Sequence, residues 1–502
     1  SRLQSTVAEL HNPDPGLIND DIRPTAPSER TWSIGAMASL WVGMVVCVPT
    51  YMLAGSMIAD GMAWWQAVGT VMLGNVIVLI PMVLNGHPGT KYGIPFPVLA
   101  RASWGIQGAH IPSVARALVA CGWFGIQTWF GGFAIYQLLD VLLGGKLSMV
   151  AGPIAGELVA RGDLPILGIN IFEFLCFLVF WGIQLAVVYK GVESIKLLEQ
   201  YAAPFLIAMG LALLAWAYVK ADGFGTMLST PSQFAEGGPK EGKFWSVFFP
   251  SLTAMVGFWA TLSLNIPDFT RYAKSQKDQV LGQMLGLPLT MTLFAFIGVA
   301  VTSATVVIFG EAVPDPTVLL GKMGGGFAVV ISLFALSIAT LSTNIAANVV
   351  SPANVFINLS PTTINFRIGG MITAGLGLAI FPWKLIESTG SYIFTWLIGY
   401  SALLGPIGGI LIVDYFLLRK TEFDLNGLYR KDGPYWYSGG FNPVAIGAFV
   451  VAVLPNLPGF LKAAGAIESC APIFSTLYTY AWFVGFAIAG VLYYAGMKAT
   501  SK

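Results

Sequence analysis

Five small polar side chains lie within one ten-residue stretch, ATLSTNIAAN at positions 339–348, whose flanking segments are apolar. They are Thr340, Ser342, Thr343, Asn344 and Asn348. A hydroxyl or amide that is buried without a partner costs about 1–3 kcal/mol, so this cluster needs either structural partners or a ligand. The hydroxyls suit a small hard cation such as Na⁺, and the amides suit a flat ligand whose edge carries donors and acceptors.

Helical spacing divides this stretch into two stripes. Ala339, Ser342 and Thr343 follow one another at i, i+3 and i+4, whereas Asn344 and Asn348 lie on a neighbouring face. The first stripe predicts a Na⁺ site, and the second predicts contacts with a ligand. A structural alternative is that the hydroxyls bond back to carbonyls one turn earlier and that the asparagines bridge helices.

Aromatic residues supply a second candidate set, in the sequence ACGWFGIQTWFGG. Trp123 and Gln127 are four residues apart and share a helical face, where an indole and an amide could hold a planar ring by stacking and edge contacts. Trp259 follows Gly257 in MVGFWATLSLNIPDF and offers a second stacking surface. We expect Trp129 to be a packing residue, as most tryptophans within membranes are packing residues or interfacial anchors.

Composition places these residues in a membrane protein. Of the 502 residues, 56% are hydrophobic and only 10% are charged, whereas soluble domains carry about 25% charged residues. Apolar stretches of about 20 residues recur, and each is long enough to cross a bilayer as a helix. The sequence predicts twelve spans, at 33–58, 62–86, 111–143, 167–189, 197–219, 245–268, 279–309, 326–357, 367–383, 388–418, 443–463 and 473–496.

Charge sets the expected orientation and limits the function. The net charge of +1 gives no indication of nucleic-acid binding. Most of the 26 Lys and Arg residues fall in connections on the same side as both termini, so we expect cytoplasmic termini. No Asp, Glu, Lys, Arg or His occurs at 33–58, 245–267 or 326–357. A proton relay or a charged substrate normally needs such a residue, so a neutral ligand and a cation held by neutral oxygens are favoured.

Two predicted spans are interrupted. Span 1 contains Pro49 near its middle, and span 6 contains Gly257 ahead of a polar run. A proline within a span removes a backbone hydrogen bond and leaves a carbonyl free, although a plain packing kink is the alternative for either span alone. If span 1 unwinds, carbonyls around Gly43 and Val46 are available to complete the Na⁺ shell. Interrupted helices at matching places of two repeats are typical of transporters that bind substrate near the midplane.

This layout divides the chain into units. The predicted units are a flexible cytoplasmic tail at 1–32, a first repeat of five helices at 33–220, a second repeat at 245–420, two further helices at 443–496 and a short cytoplasmic tail at 497–502.

Six stretches carry a specific resemblance: SLWVGMVVCVPTYMLAG, NGHPGTKYGIPFPVLARASWGIQGAHIP, WFGIQTWFGG, ATLSLNIPDFTRYAKSQKDQ, STNIAANVVSPAN and GPIGGILIVDYFLLRK. Over nearly all twelve spans the chain resembles the nucleobase–cation symporter family of the first type, which includes hydantoin, allantoin, uracil and cytosine permeases. VPTY and NGHPGTKYGIPFPV look closest to allantoin-type permeases. The resemblance implies an all-α membrane protein with the LeuT-type fold, in which two inverted five-helix repeats are followed by two C-terminal helices.

The resemblance also implies roles for individual residues. Trp123 and Trp259 match the pair that sandwiches the ligand ring. Gln127 and Asn348 match the side chains that hydrogen-bond the edge of the ring. Leu397 resembles the residue that closes over the ligand from outside. The matching Na⁺ site consists of three carbonyls and two hydroxyls, those of Gly43, Val46, Ala339, Ser342 and Thr343.

Two positions depart from the family pattern. Cys47 stands where the hydantoin branch tends to carry Gln and the allantoin branch Asn, so one polar ligand contact is missing. Phe258 replaces a Gly beside the tryptophan of the hydantoin branch and narrows that wall. Candidate substrate contacts therefore also include Cys47, Gly257, Phe258 and Asn344.

The sequence therefore predicts a secondary transporter of the inner (plasma) membrane, embedded in the lipid bilayer and functional as a monomer. We expect Na⁺-driven symport of a small neutral planar nucleobase or cyclic ureide by alternating access. Proton-coupled symport and an uncoupled facilitator are the alternatives. An enzyme is not expected, because the spans contain no nucleophile, acid pair or metal cluster.

Overall fold

The computed structural model describes residues 10–20, 22–147, 169–190, 196–324, 326–360, 363–388 and 390–501. Within these ranges the regular elements are helices, and no β-strand occurs among them. The predicted all-α class is therefore confirmed.

The main helices are numbered in chain order, and short helices in the connections are left without numbers. They are α1 (Ile34–Val45), α2 (Val48–Ala59), α3 (Trp64–Tyr92), α4 (Phe96–Trp104), α5 (His110–Leu142), α6 (Ile171–Lys190), α7 (Lys196–Lys220), α8 (Phe244–Phe258), α9 (Ala260–Asn265), α10 (Gln276–Phe309), α11 (Phe327–Asn348), α12 (Val350–Leu359), α13 (Phe366–Ala379), α14 (Ser391–Leu418), α15 (Pro443–Val453), α16 (Leu457–Ala463) and α17 (Ala481–Thr500).

Membrane spans can be counted on the described helices. Nine helical segments among the described residues are long and apolar enough to cross a membrane. The number becomes ten if the bent pair α1 and α2 is counted as one further span. Two shorter apolar helices, α8 and α13, lie where spans 6 and 9 are predicted. The 14 residues of α13 give a length of about 21 Å, which is less than the ~30 Å hydrocarbon core. The multi-span architecture is confirmed, and the count of twelve stays a prediction.

Span 1 is broken between α1 and α2, which are bent by 64° relative to each other. The backbone is extended at Cys47, with φ −152° and ψ 163°, and ψ of Val46 is 90°. Pro49 lies in the first turn of α2, where its missing N–H leaves the Val45 carbonyl without a helical partner. The predicted interruption is confirmed, and it precedes Pro49 because proline is tolerated in the first turn of a helix.

Span 6 is interrupted at Trp259, which separates α8 from α9 and has φ −102° and ψ 13°. The sequence places this break at Gly257, but Gly257 continues α8. A Cβ at Gly257 would lie 3.2 Å from the Leu397 carbonyl oxygen and would collide with the Ser401 hydroxyl. The glycine therefore permits close packing of α8 against α14, and the position predicted for the break is wrong by two residues.

Two groups of helices form the bundle around the candidate site. In the first group, α10 packs against α1, α2 and α3, and α8 packs against α3. In the second group, α5 packs against α6, α11 and α13. The broken span and the polar stretch of α11 therefore belong to different groups, and a cavity lies between them.

The N-terminal segment, residues 10–32, is anchored on the bundle wherever the structure describes it. The Tyr429 hydroxyl donates to the Ile22 carbonyl at 2.6 Å, and Arg101 Nη1 donates to the Leu17 carbonyl at 3.0 Å. The side chains of Leu17 and Ile22 are buried. The flexible tail at 1–32 stays a prediction; in its described part, isolated apolar residues of a polar segment dock on the connections between helices. The side of the bundle that carries this segment is called the N-terminal face below.

Candidate substrate and cation site

A cavity of about 760 Å³ lies between the two helix groups. Its wall takes residues from α1, α5, α8, α9, α11 and α12, and it extends to the N-terminal face, where Asn19 and Ile22 line it. The cavity brings together nine of the fourteen predicted site residues, Gly43, Cys47, Trp123, Gln127, Phe258, Trp259, Ser342, Thr343 and Asn348. Segments that are far apart in the sequence therefore meet at one site.

Trp123 is held in the wall by other aromatic rings. Its indole centroid lies 5.4 Å from Phe258 and 5.6 Å from Trp396, and Tyr392 and Tyr400 follow at 6.4 and 6.2 Å. All four rings lie at 69–85° to the indole, so none of them stacks flat on it. Edge-to-face packing of this kind fixes the indole plane and stabilises it.

Phe258 lies between the two predicted stacking residues, Trp123 and Trp259, and contacts both. Its ring centroid is 5.4 Å from Trp123 and 4.9 Å from Trp259. Trp259 also packs edge-on against Trp41, at 5.1 Å. The buried indole N–H of Trp259 has no hydrogen-bond partner among the described residues. These contacts support two indoles on one cavity wall, and a sandwich of the ligand between them stays a prediction.

The three amide side chains predicted for the site differ in their hydrogen bonds and in their contact with the cavity. Gln127 lines the cavity, and its amide makes no hydrogen bond to the described part of the chain. Asn348 also lines the cavity, with Nδ2 donating to Asn344 Oδ1 at 3.0 Å. Asn344 is fully buried behind it and, contrary to the sequence prediction, does not reach the cavity. Its position on α11 faces α5, and its amide groups are occupied by protein partners.

The predicted cation ligands meet where span 1 is broken. Gly43 lies in the last turn of α1, just after Val42, whose carbonyl accepts the hydrogen bond of the Val46 N–H that ends the helix. Ser342 is fully buried, and its Oγ has no partner among the described residues. Thr343 lines the cavity beside it. An orphaned hydroxyl of this kind costs about 1–3 kcal/mol, and oxygen ligands are what hard cations prefer, so the donors present fit Na⁺.

Four other predicted residues are buried off the cavity wall. Val46 adjoins Cys47, and Ala339 lies one turn before Ser342, so only their backbone carbonyls are available to a cation. The two remaining residues pack between helices α8 and α14 and make no cavity contact in this structure; they are Gly257 and Leu397.

Three charged residues line the cavity beside the predicted site residues. Arg116 falls within the predicted span 111–143; it lies in α5, is 5% exposed and lines the cavity. It donates to the Ser351 hydroxyl of α12. Asp268 and Arg271 line the cavity near the N-terminal face, and Asp268 accepts from the Phe96 N–H at 2.7 Å. The uncharged spans therefore surround only the deep end of the cavity. The predicted span 111–143 already contains Arg116, but the packing of α5 against α12 is what brings its side chain to the cavity.

The cavity, the broken span and the bundle are those of a membrane transporter, and comparisons identify the family. A family model described as permease for cytosine/purines, uracil, thiamine, allantoin matches residues 24–485. The chain belongs to this family, which consists of permeases and not of enzymes.

Two characterised types of permease are similar to this chain over most of its length. The chain is 51% identical to the purine-uracil permease NCS1 of Arabidopsis thaliana over 97% of its own length and 79% of that protein. It is 41% identical to the allantoin permease of Bacillus subtilis, over 96% and 93% of the two chains.

A solved transporter shares the fold. The inward-facing conformation of Mhp1 matches with a TM-score of 0.77 and 25% identity, over 97% of this chain and 95% of that one. The closed conformation of Mhp1 with bromovinylhydantoin bound, described as a nucleobase-cation-symport-1 family transporter, matches with a TM-score of 0.72 and 26% identity, over 96% of both chains. The predicted LeuT-type fold and family are therefore confirmed.

Proposed function

We propose that this protein is a Na⁺-coupled symporter of a neutral planar nucleobase or cyclic ureide that works by alternating access. The observation that carries the proposal is the cavity, which places two indoles, two amides and an orphaned hydroxyl around one space. The relatives named for purine and uracil, allantoin and hydantoin support this ligand class.

The ring binds against Trp123 and Trp259, whose indoles supply flat apolar surfaces. Gln127 and Asn348 hydrogen-bond its edge. Cys47 and Phe258 shape the wall without strong polar contacts, and Phe258 reduces the width of the site between the indoles. A neutral ligand is favoured because a charged one would need a counter-charge at the deep end of the cavity, where these residues supply only neutral groups.

The cation site uses the hydroxyls of Ser342 and Thr343 and the carbonyls of Gly43, Val46 and Ala339. When bound, Na⁺ supplies a positive charge that ties the end of α1 to α11. The orphaned Oγ of Ser342 supports this assignment, because a ligand oxygen without an ion is left unsatisfied. Coupling arises because the same two helices also present residues to the ring.

The cavity extends to the N-terminal face, so this structure corresponds to the state open on that side. We take this side to be cytoplasmic and the membrane to be the plasma membrane, in agreement with the distribution of Lys and Arg. The two repeats are 33–220 and 245–420, and the monomer contains a complete site. Leu397 at the start of α14 closes over the ligand only after this helix moves toward the cavity.

Uptake into proteoliposomes tests the proposal. We expect uracil, hypoxanthine, allantoin or hydantoin to accumulate when a Na⁺ gradient is applied at equal pH on both sides, and accumulation to stop when K⁺ replaces Na⁺. Accumulation that follows a proton gradient without Na⁺ would favour the proton-coupled alternative. Equilibration without accumulation under either gradient would indicate a facilitator.

Two asparagine variants control this experiment. Asn348→Ala removes an amide from the cavity wall and is expected to abolish accumulation. Asn75→Ala removes an equally buried asparagine whose amide donates to the Val71 carbonyl at 2.8 Å, away from the cavity, and is expected to retain it. Equal loss in both variants would contradict the assignment of Asn348.

A further inference from the structure

A buried hydrogen-bond network links Asn348 to a helix that makes no contact with the cavity. Gln184 of α6 and Thr128 of α5 are both fully buried, and Gln184 Nε2 donates to Thr128 Oγ1 at 2.9 Å. Asn344 Nδ2 lies 2.8 Å from Gln184 Oε1, 3.1 Å from Thr128 Oγ1 and 3.1 Å from the Phe124 carbonyl oxygen. Neither Gln184 nor Thr128 lines the cavity.

The direction of every bond in this network is fixed by one backbone group. The Phe124 carbonyl can only accept, so the Asn344 group that faces it must be the amide nitrogen. The Thr128 hydroxyl donates its single proton to the same carbonyl, at 2.7 Å, and therefore accepts from Gln184. Gln184 must then turn its oxygen toward Asn344. Reversing any of these amides would place two acceptors against each other.

The fixed orientation of the Asn344 amide also determines the orientation of the Asn348 amide in the cavity wall. Because the Asn344 nitrogen is occupied by the network, its Oδ1 faces Asn348 and accepts from Asn348 Nδ2 at 3.0 Å. The Oδ1 of Asn348 accepts no hydrogen bond from the described part of the chain. Asn348 therefore offers an acceptor to the cavity, whereas the amide of Gln127 has no such partner and can turn either way.

We infer that Asn344, held by the Phe124 carbonyl, Thr128 and Gln184, is a positioning residue that makes Asn348 select a ring N–H. The inference rests on the proposed function and defines its ligand class further: rings whose edge carries an N–H beside a carbonyl, as at N3 of 1-methyluracil and N1 of hypoxanthine, are preferred. Rings of the same shape with a bare ring nitrogen at that place, as at N3 of 1-methylcytosine and N1 of adenine, are disfavoured because two acceptors then meet in a buried site.

Binding measured on the purified full-length protein tests this inference. The probes are the pairs 1-methyluracil and 1-methylcytosine, and hypoxanthine and adenine. The two members of each pair differ in edge polarity but little in shape, and the methyl group removes the N1–H that the two pyrimidines would otherwise share. The native protein is expected to prefer the N–H member of the pair it binds by about 10- to 100-fold. In Asn344→Leu, Asn348 Nδ2 loses the acceptor that orients it, Asn348 can present either group, and the preference is expected to fall to within about 3-fold.

Asn75→Leu is the matched control for Asn344→Leu. Asn75 is also fully buried, and its Nδ2 donates to the Val71 carbonyl at 2.8 Å, but it has no link to the site. It should keep the native preference even if it lowers the melting temperature. A native protein without preference within the pair, or an Asn344→Leu variant that still binds and keeps the preference, would overturn the inference alone. A native protein that binds none of the four rings, nor allantoin or hydantoin, would overturn the proposed function as well.

Discussion

Replacing Trp123 with alanine is expected to weaken binding of the transported ring by about 5- to 150-fold, which corresponds to the 1–3 kcal/mol that base–aromatic stacking contributes. The four rings that pack edge-on around Trp123 leave no parallel stack on it, so a flat ligand supplies that contact. Isothermal titration of the ring into purified protein measures the loss. Trp123→Phe, which retains a smaller flat surface, should fall between the alanine variant and the native protein.

Trp129→Ala is the matched control for this prediction. Trp129 lies in the same helix, is 8% exposed like Trp123, and packs on Phe133 at 5.5 Å away from the cavity. Both alanine variants leave a void and should lower the melting temperature. Only the change at Trp123 should reduce affinity. Similar losses of affinity in the two variants would show that stability, and not stacking, is being measured.

Removing both hydroxyls of the cation site, with Ser342→Ala and Thr343→Val, is expected to abolish the effect of Na⁺ on ring binding. Coupling of this kind usually amounts to 1–3 kcal/mol, so a Na⁺-dependent gain in affinity of about 5- to 150-fold should disappear. Affinity without Na⁺ should change little. Titration of the ring at fixed ionic strength, with Na⁺ replaced stepwise by K⁺, measures the effect.

The same change has an opposite signature in stability. Because the buried Ser342 hydroxyl has no partner among the described residues, Ser342→Ala removes an unsatisfied group and should raise the melting temperature in Na⁺-free buffer. Ser337→Ala is the control, since that buried hydroxyl already donates to the Leu333 carbonyl at 3.1 Å on the same helix. Sodium dependence that survives in the double variant would place the cation elsewhere.

Local sequence signals predicted the elements of the site well. Pro49 indicated a broken first span, because a proline inside a continuous span leaves the carbonyl four residues earlier without a helical partner. The polar residues of 339–348 indicated a site, because their burial needs partners. The type of each residue was sufficient for these predictions. The break in span 6 was predicted two residues too early, at Gly257. This glycine serves close packing of α8 against α14, which only the tertiary structure reveals.

Relations between helices could not be predicted from one sequence. Asn344 and Asn348 are four residues apart on α11, but rotation along the helix turns Asn344 toward α5 and away from the cavity. Gln184 gave no signal at all, since its role depends on α6 packing beside α5. Arg116 falls within the predicted span 111–143, but its place in the cavity wall depends on how α5 packs against α12, which the sequence of one helix does not reveal.

The coupling of Na⁺ and substrate in one cavity is tested most directly by measuring how each of them changes the binding of the other. The substrate used is the ring that raises the melting temperature of the purified protein most. If the same cavity binds both Na⁺ and the ring, Na⁺ must raise the affinity for the ring by the same factor by which the ring raises the affinity for Na⁺. This factor is expected to be about 5- to 150-fold in each direction. Calorimetric titration of each partner, with and without the other and at constant pH, gives both factors. Equal affinity for the ring in Na⁺ and in K⁺, with no effect of the ring on Na⁺ binding, would contradict the proposal that the two ligands share one cavity.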